Sequence, residues 1–237
     1  MTPEEKQIIL QNAKQFFKDK IVENHKKQTE KAKHLKVFTP NPFLQKYLAN
    51  FAFGCCDSKC IAQALVYPRV LGTSINTIFG TQMQSFCKDV LNGFASTTSG
   101  IDIEFTDQID GRHKYCQIKA GPNTINKDDI TTILNHFKAI RNLARTNGVK
   151  DFNPDIDCIV GVFYGNNEDL STMYKTINES NPVYAGKDFW HRLTGDKDFY
   201  EELIDNFAEV ANEIDGTAII EDVVNSLAEE IEEKYNN

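Results

Sequence analysis

Four polar side chains near the middle of the chain have the types and spacing to do chemistry together. Asp102 and Glu104 stand two apart in Ile101–Thr106, and Gln117 and Lys119 stand two apart in His113–Ala120. Both runs alternate apolar and polar residues, which is the period of a β-strand. On the first, Asp102, Glu104 and Thr106 share a face opposite Ile101, Ile103 and Phe105. On the second, Tyr115, Gln117 and Lys119 share a face opposite Cys116, Ile118 and Ala120. Asp110-Gly111 between them is a hairpin-turn signal. Pairing across it can bring both polar sets to one sheet edge. A Mg²⁺ ion takes hard oxygen ligands and keeps several waters. Asp102 would supply a charged ligand, the side-chain carbonyl of Gln117 a neutral one and the backbone carbonyl of Ile118 a third. Lys119 would hold or help deprotonate the attacking water and stabilise charge on a phosphate oxygen. That is metal-assisted attack on a phosphodiester, without a covalent intermediate. Glu104 reads either as a supporting carboxylate or as an exposed strand side chain.

The surrounding elements must hold these strands. Residues 3–35 read as a helix, with Ile9, Ala13, Phe16, Phe17, Ile21 and Val22 in one apolar stripe. Its end, His25–Lys36, holds five lysines and two histidines and reads as a solvated helix end or as a phosphate-tracking arm. Asn41-Pro42-Phe43 is a helix start. Phe43–Phe53 and Cys60–Val66 read as short helices, the second stopped by Pro68. Thr73–Gly93 reads as one helix with Gly93 as a C-cap candidate. Phe94–Thr98 reads as a short strand. Asn126–Thr146 has the strongest helical pattern, with Ile130, Ile133, Leu134, Phe137, Ile140 and Ala144 as its stripe. Cys158–Tyr164 is nearly continuously apolar and suits a central strand covered on both faces. From Lys187 the chain is helical again. The core order is helix, short strand, strand, strand, helix, strand, with helices at both ends.

The chain has 237 residues, 41% apolar and 25% charged, which is a globular composition. No stretch approaches a membrane span. The polar start Met1-Thr2-Pro3-Glu4-Glu5-Lys6 has no apolar run of a secretory signal, so a cytoplasmic location is expected. The net charge of −8 is unevenly spread: residues 1–150 carry 21 Lys and Arg against 13 Asp and Glu, and residues 151–237 carry 5 against 21. A polyanion feels the local field, so the acidic sum does not exclude one. The cysteines are 55, 56, 60, 87, 116 and 158. No second ligand pair follows Cys55-Cys56 and Cys60, and His113 with Cys116 is a weak addition. The thiols are therefore read as reduced and mostly buried, not as zinc ligands.

With both neighbouring elements, the spacing resembles the PD-(D/E)XK nuclease superfamily. Its signature is an acid at the start of one strand, then acid-x-Lys on the next. Here it runs Gly100-Ile101-Asp102-Ile103-Glu104-Phe105, then Gln117-Ile118-Lys119. Gly80-Thr81-Gln82-Met83-Gln84-Ser85-Phe86 is similar to the Gly-Thr-x-x-Glu helix of that superfamily. Gln117 through Asn126 looks like the post-motif loop of Type II restriction endonucleases. Lys187-Asp188-Phe189-Trp190, Gly195-Asp196 and Phe199-Tyr200 look like a C-terminal block of some of them. The resemblance covers roughly residues 69–205. It departs at Gln117, where Glu is usual, and at Gln84, where the helix Glu is expected. Each change removes a negative charge.

The resemblance implies an α/β (α+β) fold: a three-layer restriction-endonuclease-like core with a central mixed sheet, flanked by N- and C-terminal helices. Residues 1–68 would form an N-terminal helical region for DNA binding or dimerisation. Residues 69–205 would form the catalytic core, and residues 206–237 acidic helices packed on it. It implies a Type II restriction endonuclease: a homodimer on double-stranded DNA, Mg²⁺-dependent, leaving 5′-phosphates and paired with a DNA methyltransferase. Asp102, Gln117 and Ile118 would bind metal, and Lys119 would act on water with Glu104 in support. The alternatives are a non-cleaving DNA-binding protein on the same scaffold and a structure-specific repair nuclease.

Further candidates follow the motif. Asn123, Thr124, Asn126 and Lys127 crowd one loop. Thr124 or Asn126 would cap the next helix, while their neighbours contact phosphates or base edges. On that helix Lys138, Arg141 and Arg145 form a basic stripe, either solvated or set against phosphates. Arg69 and Arg112 are further candidates. His136, His191 and Trp190 read as structural.

Overall fold

The two alternating segments form an antiparallel pair. The computed structural model describes residues 2–91 and 94–236, apart from the side chains of Gln84, Tyr235 and Asn236. Gly93 and the Gln84 side chain therefore lie outside the described residues. Strand β1 (Ile103–Thr106) pairs with β2 (His113–Lys119), β3 (Cys158–Val162) lies parallel to β2, and β4 (Val183–Ala185) lies parallel to β3. The sheet is mixed, in the order β1-β2-β3-β4. Phe94–Thr98 is not a strand; it contributes one bridge, Ala95 to Ile103.

The helices are α1 (Pro3–Phe16), α2 (Glu23–Lys31), α3 (Gln45–Phe53), α4 (Ser58–Pro68), α5 (Ile75–Asp89), α6 (Lys127–Thr146), the single turn α7 (Pro154–Asp157), α8 (Thr172–Asn178), α9 (Gly186–Thr194), α10 (Phe199–Ala211) and α11 (Thr217–Asn236). The first expected helix is thus three segments, with π-helical Phe17–Val22 in its middle and its last turn at Lys31. Pro68 does not stop the helical path. It is the last residue of α4, and the ladder widens at once into π-helical Arg69–Ser74. That widening absorbs the missing N–H of proline. Of the described helices, none is long and apolar enough to cross a membrane.

The sheet is covered on both faces. Every residue of β3 is buried. On one face Val160 and Val162 pack with Ile133, Phe137 and Ile140 of α6 and with Tyr174 and Ile177 of α8. On the other, Gly161 lies under the ring of Phe189 of α9, and Phe163 meets Trp190 and Phe86 edge-on. Trp190 is fully buried and donates Nε1–H to the Phe163 carbonyl at 3.0 Å. This helix–sheet–helix arrangement is the α+β, three-layer class expected. Helix α6 forms because its apolar stripe falls on one face and its first turn is closed. Asn126 accepts from the N–H groups of Asp128 and Asp129, while Asp129 accepts from Asn126 N–H at 2.8 Å.

A buried ionic network closes the turn end of the β1–β2 hairpin. Lys114 and Asp107 are fully buried and Asp157 nearly so. The Lys114 ammonium donates to Asp110 at 2.6 Å and lies 4.0 Å from both Asp107 and Asp157. Arg112 grips both oxygens of Asp157 at 2.6 Å, and Arg192 donates to Asp107 at 2.9 Å. Arg112, a candidate phosphate contact, is thus committed to the fold.

Contacts group the chain into two units, Met1–Phe16 with Gln82–Ala208 and Phe17–Thr81 with Glu209–Asn237. The first holds the sheet. In the second, α11 buries Val223, Val224, Leu227 and Ile231 against Ile61, Ala62 and Val66 of α4. Its acids also face the basic N-terminal segment: Lys33 pairs with Asp222 at 2.5 Å, and Glu230 accepts from Leu35 N–H at 2.9 Å. Part of the lysine-rich stretch is therefore neutralised within its own unit. Phe43, Tyr47 and Phe51 project from α3 and the turn before it at 91%, 60% and 77% exposure.

The cysteine expectation is corrected. Cys55 and Cys60 form a disulfide across the turn into α4, while Cys56 is exposed and Cys87, Cys116 and Cys158 are buried free thiols. Asp57 lies beside the pair and caps α4 through Cys60 N–H.

Candidate active site

The ladder register decides which polar groups meet. Ile103 stands opposite Cys116 and Glu104 opposite Tyr115. One residue earlier the expected alternation is broken. Asp102 lies at a bend outside β1, its N–H donates to the Cys116 carbonyl at 3.1 Å and its own carbonyl turns the other way to accept from Ser96 N–H, so Asp102 and Ile103 both stand against Cys116. The Asp102 carboxylate reaches over the strand end and accepts the Ile118 N–H at 2.7 Å. In β2, Cys116 turns its backbone toward β1, and the Lys119 carbonyl accepts from Phe163 N–H on the β3 side at 2.8 Å. Strand alternation therefore turns the Ile118 carbonyl to the β1 side, beside the Asp102 carboxylate. The Asp102 carboxylate and the Ile118 carbonyl thus lie at one edge, next to Gln117 in β2.

Gln117 is buried and its amide lies 2.7 Å from Nδ1 of His136 on α6. Lys119 follows two residues along on the same face, half-buried. Among the described residues its ammonium has no hydrogen bond or ion pair, unlike that of Lys114. Behind Asp102 lie two thiols. Burial pushes the Cys87 thiol up to about 12, and the negative charge of Asp102 adds to this. Burial and Asp102 together also raise Cys116 well above the ordinary thiol range. Both stay protonated and offer no soft thiolate. The donor set is hard oxygen, which fits Mg²⁺ and not a thiophilic metal.

Glu104 is on the same face but committed elsewhere. Oε1 accepts from the Ser96 and Thr98 hydroxyls and Oε2 faces His113 Nε2 at 3.0 Å. The hydroxyls of the segment before β1 thus hold this carboxylate. Burial raises its pKa, but the bonds from Ser96, His113 and Thr98 outweigh burial and leave it below the ordinary 4.5. A carboxyl depressed in the folded state stabilises above its unfolded pKa and loses that contribution as pH falls through the folded one. Glu104→Gln is therefore expected to be less stable than the wild type at pH 7, with the gap closing as pH falls through the depressed range in which Glu104 takes up its proton. Urea midpoints of both proteins at pH 7 and pH 3 check this; equal midpoints at pH 7 would refute it. His113, considered with Cys116 for zinc, instead pairs with Glu104 and packs edge-on against Tyr115, while Cys116 is buried on the opposite face.

After β2 the loop is held tightly. A Cβ on Gly121 would lie 2.4 Å from the tip of the Tyr164 ring, which rests on the glycine. Thr124 Oγ1 donates to the Gly121 carbonyl at 2.9 Å and lies 3.2 Å from the Tyr174 hydroxyl. Thr124 fixes the loop and Asn126 caps α6, while Asn123 and Lys127 are exposed. Lys138, Arg141 and Arg145 are exposed as a stripe on α6. Arg141 pairs with Asp155 at 2.7 Å. Lys138 and Arg141 line a groove of about 730 Å³ whose other residues include Asp155 and Glu179, so the stripe borders a surface of mixed charge.

Of the sequence candidates, Asp102, Gln117, Ile118 and Lys119 come together; Glu104 is adjacent and occupied. His136, read as structural, touches Gln117. It lies 19 residues away in sequence, and helical spacing alone did not mark it.

A mixed four-stranded sheet between helices, with these groups beside the start of β1, is a restriction-endonuclease-like α+β core. The family described as Type II restriction endonuclease EcoO109I matches residues 6–215, and the chain belongs to that family. No curated protein matches it.

Proposed function

We propose that the chain is a Mg²⁺-dependent Type II restriction endonuclease. It binds double-stranded DNA as a homodimer, and each subunit hydrolyses one phosphodiester to leave a 5′-phosphate. The observation that carries this is the Asp102 carboxylate bonded to the Ile118 N–H at 2.7 Å, between Gln117 and a Lys119 ammonium that no group of the described residues pairs with. Family membership supports the same reading.

Asp102, Gln117 and the Ile118 carbonyl would hold the ion. When bound, Mg²⁺ neutralises phosphate charge and lowers the pKa of a water. Lys119 orients the attacking water and stabilises the charge that grows on the non-bridging phosphate oxygen. Water oxygen bonds to phosphorus, the P–O3′ bond breaks and the 3′ oxygen gains a proton. Glu104 holds Ser96, Thr98 and His113, supporting the strand that carries Asp102. Asn123, Lys127, Lys138, Arg141 and Arg145 are the groups we assign to DNA. The exposed apolar face of α3 is the surface we assign to the dimer contact, since a two-fold protein matches a palindromic site. A site-specific nuclease also needs its host sites protected, so we pair it with a DNA methyltransferase of the same specificity.

The test is a digest of plasmid and phage DNA with Mg²⁺ and with EDTA. Discrete Mg²⁺-dependent fragments, whose ends accept a label from polynucleotide kinase only after phosphatase, are expected. Binding without cleavage under any divalent ion would replace this reading with a non-cleaving DNA-binding protein. Diffuse degradation would replace it with a nuclease that does not read sequence.

A further inference from the structure

We infer that His136 is a positioning residue that decides which end of the Gln117 amide faces Asp102. This rests on the metal-site reading above. A carboxylate presents the same oxygen whichever way it turns. An amide does not: turned one way Gln117 offers Oε1 to a cation, turned the other way it offers NH₂, which cannot ligate one. A site with glutamine in place of an acid therefore needs a group that fixes the amide.

His136 is that group. The Gln117 Nε2 donates to His136 Nδ1 across 2.7 Å, so the imidazole carries its proton on Nε2. With the NH₂ end held there, Oε1 is left for the edge occupied by Asp102 and the Ile118 carbonyl. The ring is bounded on one side by the backbone. Gly100 lies against it: a Cβ at that position would sit 2.5 Å from the ring carbon, and Gly100 has φ +80°. Glycine is needed there both for its backbone angle and for the space the ring fills. On the helix side, Ile133, Phe137 and Ile140 anchor α6 in the core and set the height of residue 136 over the sheet. The contact thus runs from a rigid helix to a buried side chain, which is how outer groups tune ligands at metal sites.

The test measures Mn²⁺ binding by electron paramagnetic resonance in the absence of DNA, with Asp102→Asn as the control. His136→Ala in the wild-type background is expected to weaken binding roughly tenfold. In a Gln117→Glu background, where both ends of the side chain are equivalent, the same substitution is expected to change it less than about twofold. His136→Asn, which returns an acceptor oxygen near the position of Nδ1, is expected to restore much of the loss. Equal losses in both backgrounds would show that His136 only supports the fold and would overturn the inference. Unchanged binding in the wild-type background would overturn it too, while leaving the metal site intact. Binding that ignores Asp102→Asn would instead remove the metal site, and the inference with it.

Discussion

Lys119→Ala is expected to lower the DNA-cleavage rate by about 10²–10⁴-fold while leaving the affinity for DNA nearly unchanged. The asymmetry follows from where the ammonium sits. It spends nothing on the folded protein, because no acid or carbonyl of the described residues pairs with it. Its removal therefore leaves no buried carboxylate uncompensated, and the variant should unfold at the wild-type urea midpoint. One contact to phosphate, among the many that hold a nuclease on duplex DNA, changes affinity little. Single-turnover cleavage and gel-shift titrations of the same preparation check both parts. Lys119→Arg separates charge from proton transfer. Guanidinium keeps the charge but does not deprotonate at working pH. Partial activity in the arginine variant would assign Lys119 mainly to the phosphate oxygen; none would assign it to the water. A Lys119→Ala protein that cut normally would end the proposed role.

The reason so much of this site could be read beforehand is that it rests on period two. Alternation in Ile103–Thr106 and His113–Lys119 fixes faces, and one turn fixes that the faces meet, but Asp102 lies at a bend just outside β1, where the period no longer holds. The cap of α6 was equally local, since Asn126 and Asp129 answer one another within a single turn. What escaped reading was not local. Strand β4 has three residues, too few to show a period. Pro68 punctuates a helix only if the ladder stays α-helical, and here it widens. The segment before β1 carries Ser96 and Thr98, whose hydroxyls go to Glu104, and its backbone makes a single bridge to Ile103. His136 meets Gln117 only because α6 crosses the sheet at one particular height. The second unit joins residues from both ends of the chain, which no linear partition expresses.

Lys114 shows the same limit and carries the other large effect. The alternation of β2 places it on the apolar face with Cys116 and Ile118, yet a lysine is seldom fully buried unless it is paired. Its partners come from the hairpin turn, as Asp107 and Asp110, and from Asp157, which is 43 residues further on. Lys114→Met is expected to destabilise the protein by about 3 kcal/mol, because it takes the bonded cation from Asp110 and leaves the buried Asp107 and Asp157 with one arginine each. That is a large share of the roughly 5–15 kcal/mol that holds a typical domain folded. Asp110 is the directly bonded partner and is partly exposed, so Lys114→Met with Asp110→Asn should recover part of the loss. Asp107 and Asp157 keep their arginines in both variants. Urea denaturation of the single and double variants measures the coupling; a single variant as stable as the wild type would refute the role. The consequence reaches the opposite end of the hairpin. A one-residue slip of β1 on β2 would carry the Asp102 carboxylate away from the Ile118 N–H. The network at Lys114 clamps the turn end, and so holds the register on which the contact between Asp102 and the Ile118 N–H depends. Loosened there, the folded fraction of Lys114→Met should also bind Mn²⁺ more weakly, although the substitution lies on the other face of the sheet.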